Sequence, residues 1–132
     1  MTTETILKSH PAAGADVSDL AAVIDDIAAC MQACTACADA CLHEESVDHL
    51  RKCIRTDLDC ADVCNAALRV LSRQGSGDPE IFATLLSACV AACEACGAEC
   101  ESHADMHEHC RACAEACRRC AASCRRLLET LG

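Results

Sequence analysis

Five cysteines, at 110, 113, 117, 120 and 124, fall within the run CRACAEACRRCAASC. Steps of three and four place all five on one stripe of an α-helix, which turns once per 3.6 residues or so. A seam that a helical bundle normally fills with leucine is filled with thiols instead. The pattern recurs along the chain. Cys30, Cys34, Cys37 and Cys41 form CxxxCxxCxxxC, as do Cys89, Cys93, Cys96 and Cys100, while Cys53, Cys60 and Cys64 share a further stripe. Sixteen cysteines in 132 residues is far above ordinary usage. A single buried cysteine is usually a small hydrophobe, but core packing alone would not choose thiols for four inward stripes, because they fill space less well than leucine and invite oxidation. The chemistry open to such a set is thiol redox or the binding of soft metals.

Positioning these stripes takes four helices. Residues 1–15 contain Pro11 and Gly14 and no apolar period, and read as a flexible N-terminal arm with Asp16 or Ser18 as the following N-cap. The first helix runs to about His43, its seam passing from Leu20, Val23 and Ile27 to Cys30, Cys34, Cys37 and Cys41. Ser46 caps a second that reaches about Arg73, in the reverse order: Leu50, Cys53, Asp57, Cys60, Cys64, Ala67, Leu71. QGSGDPE is a linker, with Asp78-Pro79 opening a third helix in the favoured cap and first-turn arrangement. That helix carries Phe82, Leu86, Cys89, Cys93, Cys96 and Cys100 to about Ser102. Asp105 and Glu108 form an Asp variant of the capping box for the fourth, whose seam extends outward to Met106 and inward to Leu127 and Leu131.

The segments 30–41 and 89–100 repeat one another, and Cys53, Cys60 and Cys64 align with Cys113, Cys120 and Cys124. Leu50 and Asp57 then stand where the second half has Cys110 and Cys117. The fold expected is all-α: residues 16–132 form a single antiparallel up-down-up-down four-helix bundle built from two duplicated helical hairpins. Every cysteine falls toward one end of it, leucine and phenylalanine close the other, and His43, His49, His103, His107, His109 and Met106 ring the thiol end. From Cys110 to Cys124 the stripe spans roughly 21 Å at about 1.5 Å per residue, so the site is a column.

A net charge of -10 argues against nucleic acid, as does a chain with one phenylalanine and no tryptophan or tyrosine. The N-terminus has no apolar leader and no segment reads as a membrane span, which points to the cytoplasm, where thiols stay reduced and dense cysteines more often mean metal. Arg111, Arg118 and Arg125 lie off the seam as a solvated or subunit-facing stripe. Without a paired nucleophile and base, a phosphate loop or an open tetrahedral site, no enzyme is indicated.

Cysteines three or four apart on one helix are poor disulfide partners, since their Cβ vectors run side by side. Closed zinc tetrahedra usually draw on CxxC turns, whereas the CxxC pairs here lie inside helices, and the same objection meets iron-sulfur clusters. Cu(I) is soft and accepts two or three thiolates, so a CxxxC pair or two facing cysteines can hold it. If each thiolate bridges two ions, copper and sulfur approach parity, on the order of sixteen ions per chain, and the charges cancel. A cluster-bearing or disulfide-cycling redox protein and a broad zinc or cadmium sequestrant remain the alternatives.

The duplicated CxxxCxxCxxxC helices, the cysteine-lined inner face of a short four-helix chain and the motif HADMHEHC resemble the bacterial copper storage proteins, in particular their cytosolic branch. That resemblance covers residue 16 onward. It implies a cytoplasmic homotetramer of bundles, each loading many Cu(I) ions on its sixteen cysteines; copper is the expected partner, with a copper chaperone as a candidate donor. It also carries His103, His107 and His109 onto a mouth through which copper enters. Asp57 reads either as a carboxylate turned outward by a small shift of register or as a hard oxygen ligand that holds Cu(I) weakly and lets early ions move inward. Met106 reads as a rim thioether or as apolar filler.

Overall fold

A computed structural model describes residues 2–74 and 77–131. Four long helices, α2 (Val17–Leu42), α3 (Arg51–Ser72), α4 (Pro79–Glu101) and α5 (Glu108–Leu131), follow a short α1 (Thr2–Lys8). Each long helix packs on two neighbours, α2 on α3 and α5, and α4 on α3 and α5. The four therefore stand as a square, up-down-up-down bundle, held to that shape by connections too short to cross it.

Local chemistry sets the helix ends, in part differently from expectation. Asp78 accepts from the Glu80 backbone N–H at 2.9 Å with Pro79 in the first turn, as anticipated. Gly75 of the linker lies outside the described residues. Asp16 occupies an N-cap position without a side-chain bond, and Ser18 donates instead to Glu4 on α1. Ser46 opens a 3-10 turn, Val47–His49, before α3, and its hydroxyl turns to His107. The capping box at Asp105 is not formed: α5 starts at Glu108, whose carboxylate pairs with Arg111. Residues 2–8 are the larger departure from the expected loose arm. They form α1, which packs on α2 with Leu7 buried, Thr3 bonded to Asp25 and the Leu7 carbonyl accepting from Gln74. A seven-residue helix has too few apolar residues for a period to show, and packing supplies what propensity does not.

Below the cysteines the core closes on Ile27, Ala67, Leu71 and Leu86, all buried. The outer part of the leucine plug is less closed than expected. Leu20, Leu68, Phe82 and Leu127 are half-buried, Leu131 is exposed, and a cleft of about 740 Å³ opens among Val17, Val23, Leu71 and Phe82. Met106, expected on the seam, is 76% exposed, because α5 begins two residues after it.

Contrary to expectation, α2 and α4 are long and apolar enough to cross a membrane, with mean hydropathies of 1.4 and 1.8. The signal comes largely from alanine and cysteine, and the bundle turns those cysteines inward.

Candidate metal centre

All sixteen cysteines are free and buried, and their sulfurs form one column inside the bundle. At the rim Cys37 lies 4.0 Å from Cys41 and 3.9 Å from Cys110. On the α3–α4 side Cys53 meets Cys100 at 3.6 Å. In the middle Cys34 touches Cys96, Cys113 and Cys117 at 3.7 to 3.8 Å, and Cys30 links it to Cys60 and Cys93. Cys64 meets Cys89 at 3.7 Å near the floor, where Cys120 and Cys124 complete the set.

Asp57 is fully buried within this column, which settles its orientation. Its Oδ1 accepts from the thiols of Cys96 at 3.0 Å, Cys113 at 3.3 Å and Cys100 at 3.4 Å, and Cys53 approaches Oδ2 at 3.9 Å. Burial, reinforced by the Cys96 bond and the surrounding thiols, pushes its carboxyl up to about 12, so the metal-free protein holds Asp57 protonated. Burial likewise pushes the Cys41 thiol up to about 11 and raises that of Cys110. Cys37 beside them is held the other way, toward the thiolate, by hydrogen bonds from Cys100, Cys113 and Cys53 and by His109.

The two hairpins repeat in space with a different register from the one in sequence. Cys53 meets Cys100 much as Cys110 meets Cys41 at 4.0 Å, and Cys60 meets Cys93 at 3.7 Å just as Cys117 meets Cys34. Cys110 and Cys117 thus take the places that alignment gave to Cys113 and Cys120, a displacement of nearly one helical turn. Leu50, fully buried, caps the α3 side of the rim beyond Cys53. Asp57 faces Cys113 across the core and does not replace a thiol one-for-one.

The histidines separate into two kinds. His43 and His49 are exposed, and His43 bonds to the Asp39 carbonyl. His103 turns to Glu99, 2.9 Å away. His109 points inward, its Nδ1 at 3.4 Å from the sulfur of Cys37 and 3.6 Å from that of Cys110. Its Nε2 lies 2.8 Å from Glu44, which also holds His107 at 3.1 Å, and the two imidazoles stack at 5.3 Å. Burial opposes charge on His109, yet its bonds to Cys37 and Glu44 leave its affinity for protons above the ordinary value. Glu44 was missed in sequence because the loop LHEES offers no spacing to read. Its only signal was acidity opposite a histidine-rich loop.

Groups of four donor atoms within 4.8 Å of one another recur along the column: Cys37, Cys41, Cys110 and His109; Cys37, Cys41, Cys53 and Asp57; Cys34, Cys96, Cys113 and Cys117; Cys30, Cys34, Cys60 and Cys117; Cys30, Cys64, Cys93 and Cys120. Cys30, Cys34, Cys37, Cys41 and Cys117 each belong to two of these groups. A closed zinc tetrahedron does not share ligands in this way, whereas thiolates that bridge monovalent ions must.

Residues 16–129 match the family model described as copper storage protein. The chain belongs to the copper storage protein family. Ccsp from Streptomyces lividans, loaded with 10 copper equivalents, is 52% identical over 96% of this chain and 98% of its own, with a TM-score of 0.93. A structure of a cytosolic copper storage protein from Streptomyces lividans carrying five coppers is 56% identical over 87% and 96%, with a TM-score of 0.86. Cu(I)-bound BsCsp3 is 39% identical over 81% and 95%, with a TM-score of 0.73. No curated protein sequence matches the chain. Copper storage proteins thus account for the feature that composition left open, a core in which every cysteine is inward and reduced.

Proposed function

We propose that this chain stores Cu(I) in the cytoplasm, taking many ions per bundle onto the sixteen cysteines of its core. One observation carries the reading: the thiols are unpaired, buried and mutually in reach along the whole column, with several shared between neighbouring donor groups. Cu(I) that takes two or three bridging thiolates leaves such a core nearly neutral, while divalent ions in the same number would not. The relatives carrying copper in their crystals support the same cargo. Many equivalent sites suit storage and detoxification.

On this reading copper enters at the end bearing His109 and His107, with His103 outside them. Asp57, within reach of Cys37, Cys41 and Cys53, is the first oxygen donor an ion meets below the rim. A homotetramer, implied by the family resemblance, would leave each bundle an independent store, and a copper chaperone is the natural donor to a site that must never release free ion. Anaerobic titration with Cu(I) against a competing chelator tests the proposal. On the order of one copper per cysteine is expected, from the parity of bridging thiolates and monovalent ions, and a plateau at one to four ions, or equal uptake of zinc, would refute it.

A further inference from the structure

Between the rim thiols and solvent lies a carboxylate that holds two of the mouth histidines. Glu44 sits in the α2–α3 connection, across the mouth from the α4–α5 loop, with about a third of its side chain exposed. A single oxygen, Oε2, lies 2.8 Å from His109 Nε2 and 3.1 Å from His107 Nδ1. An ionised carboxylate only accepts, so each of these ring nitrogens must carry the proton. A carboxylate at a solvent-facing mouth is ionised near neutral pH.

The opposite nitrogen of each ring is then bare when the ring is neutral. For His109 that is Nδ1, facing Cys37 and Cys110 at 3.4 and 3.6 Å. For His107 it is Nε2, which accepts from the Ser46 hydroxyl at 3.4 Å at the outer edge of the mouth. One acceptor thus puts two stacked imidazoles into opposite tautomers, with one lone pair turned to the thiols and the other to the loops.

We propose that Glu44 is the positioning residue of the copper mouth: by accepting from both rings through one oxygen it fixes His109 with Nδ1 bare toward the rim thiols and His107 with Nε2 bare toward the entrance. This rests on the reading that copper enters here. A ligating imidazole whose second nitrogen is held by a carboxylate is oriented and made more basic, and loss of such a support costs about 10- to 100-fold in metal affinity or activity. Left unsupported, His109 would be free to turn Nε2 inward or to swing out toward solvent. Glu44 would then act on the rate at which ions pass the rim and not on how many the column holds.

The test uses the full-length, metal-free protein and the variants Glu44→Ala, Glu44→Gln and His109→Ala. Two-bond proton–nitrogen NMR correlations report the tautomers, and anaerobic stopped-flow mixing with Cu(I) reports uptake. At a pH high enough for both rings to be neutral, we expect the wild type to show His109 as the Nε2–H form and His107 as the Nδ1–H form. Glu44→Ala should mix both and slow uptake about tenfold at unchanged capacity, with Glu44→Gln, which keeps an accepting oxygen, partly restoring each. Unaltered tautomers in Glu44→Ala overturn the proposal, as does normal uptake in that variant when His109→Ala is slow. Mixed tautomers with normal uptake in both variants support the positioning and refute entry at this end. Glu44 lies in a surface connection, and matching far-UV spectra will show that the variants fold.

Discussion

Asp57→Asn should stabilise the metal-free protein at neutral pH, and by an amount that grows with pH. The ordinary aspartate value is 3.8, and burial among four thiols pushes Asp57 up to about 12. Between those values the unfolded chain ionises this carboxyl while the folded one does not. Stability from this group is therefore fully present below 3.8 and is lost at about 1.4 kcal/mol per pH unit as pH rises through the window. At neutral pH the accumulated cost is roughly 4 kcal/mol, a large share of a small domain's stability. Asparagine keeps the shape and both a donor and an acceptor for Cys96, Cys100 and Cys113, and has no proton to hold. Urea unfolding followed by far-UV circular dichroism, anaerobic and with a reductant, measures the difference. Both proteins should be compared above the isoelectric point of about 4.8, where they remain soluble. The gap should widen by about 1.4 kcal/mol for each unit from mildly acidic to neutral pH. The thiols and histidines common to both chains cancel in the comparison. A gap that stays constant with pH would refute a protonated Asp57, and with it the burial that requires one.

Three further outcomes follow from the same geometry. Filling should release protons, up to about one per cysteine, because neutral thiols must ionise to bind, with little change in far-UV circular dichroism; a pH-stat during anaerobic titration reads the first, and a coil-to-helix transition would contradict a preformed bundle. Leu86→Ala should cost about 3 kcal/mol of unfolding free energy, since Leu86 is fully buried in the layer that floors the column, yet leave copper capacity unchanged; a lower copper count would show that the floor is part of the store. Gly97→Ala should be neutral or stabilising by up to about 1 kcal/mol, because an added Cβ meets the Cys117 Cβ at an ordinary 3.4 Å and alanine favours helix; a fall in melting temperature would mean that α4 and α5 approach too closely for any side chain there.

Most of this architecture was legible because thiols and leucines follow the helical period on all four long helices. A stripe of Cys110, Cys113, Cys117, Cys120 and Cys124 admits one face and one orientation, and the reversal between Cys30–Cys41 and Cys53–Cys64 sets the polarity of the bundle. The features that escaped share a physical cause, that their partners lie far away in sequence. Leu7 is buried by α2, and nothing within residues 2–8 announces it. Ser46 has the right type for a cap and spends its hydroxyl on His107, 61 residues later. Sequence alignment matches Cys53 with Cys113, yet helices slide to bury side chains, and packing matches it with Cys110. His103, His107 and His109 look equivalent in HADMHEHC, and only the carboxylates of Glu99 and Glu44 make them different.

Asp57 shows why the departure from thiol makes physical sense just below the rim. The sulfur–sulfur contacts of Cys37, Cys41 and Cys110 within 4.0 Å run among themselves, whereas Cys53, Cys96, Cys100 and Cys113 all converge on the Asp57 carboxyl. A thiol at this junction would bind the first Cu(I) as tightly as any site below it, and the entrance would fill before the column. An oxygen donor is a poor partner for a soft ion, and a protonated one carries no charge to hold it. On the proposed reading an ion would gain by moving on to Cys34 and Cys96, and the column would fill beyond the junction. As thiolates and copper accumulate, the unfavourable burial of Asp57 falls on a core that is nearly full, where a nearby cation is the one thing that lets it ionise. On that reading a single carboxyl among the thiols would favour inward transfer while the store is empty and add a negative donor near its mouth once it is charged.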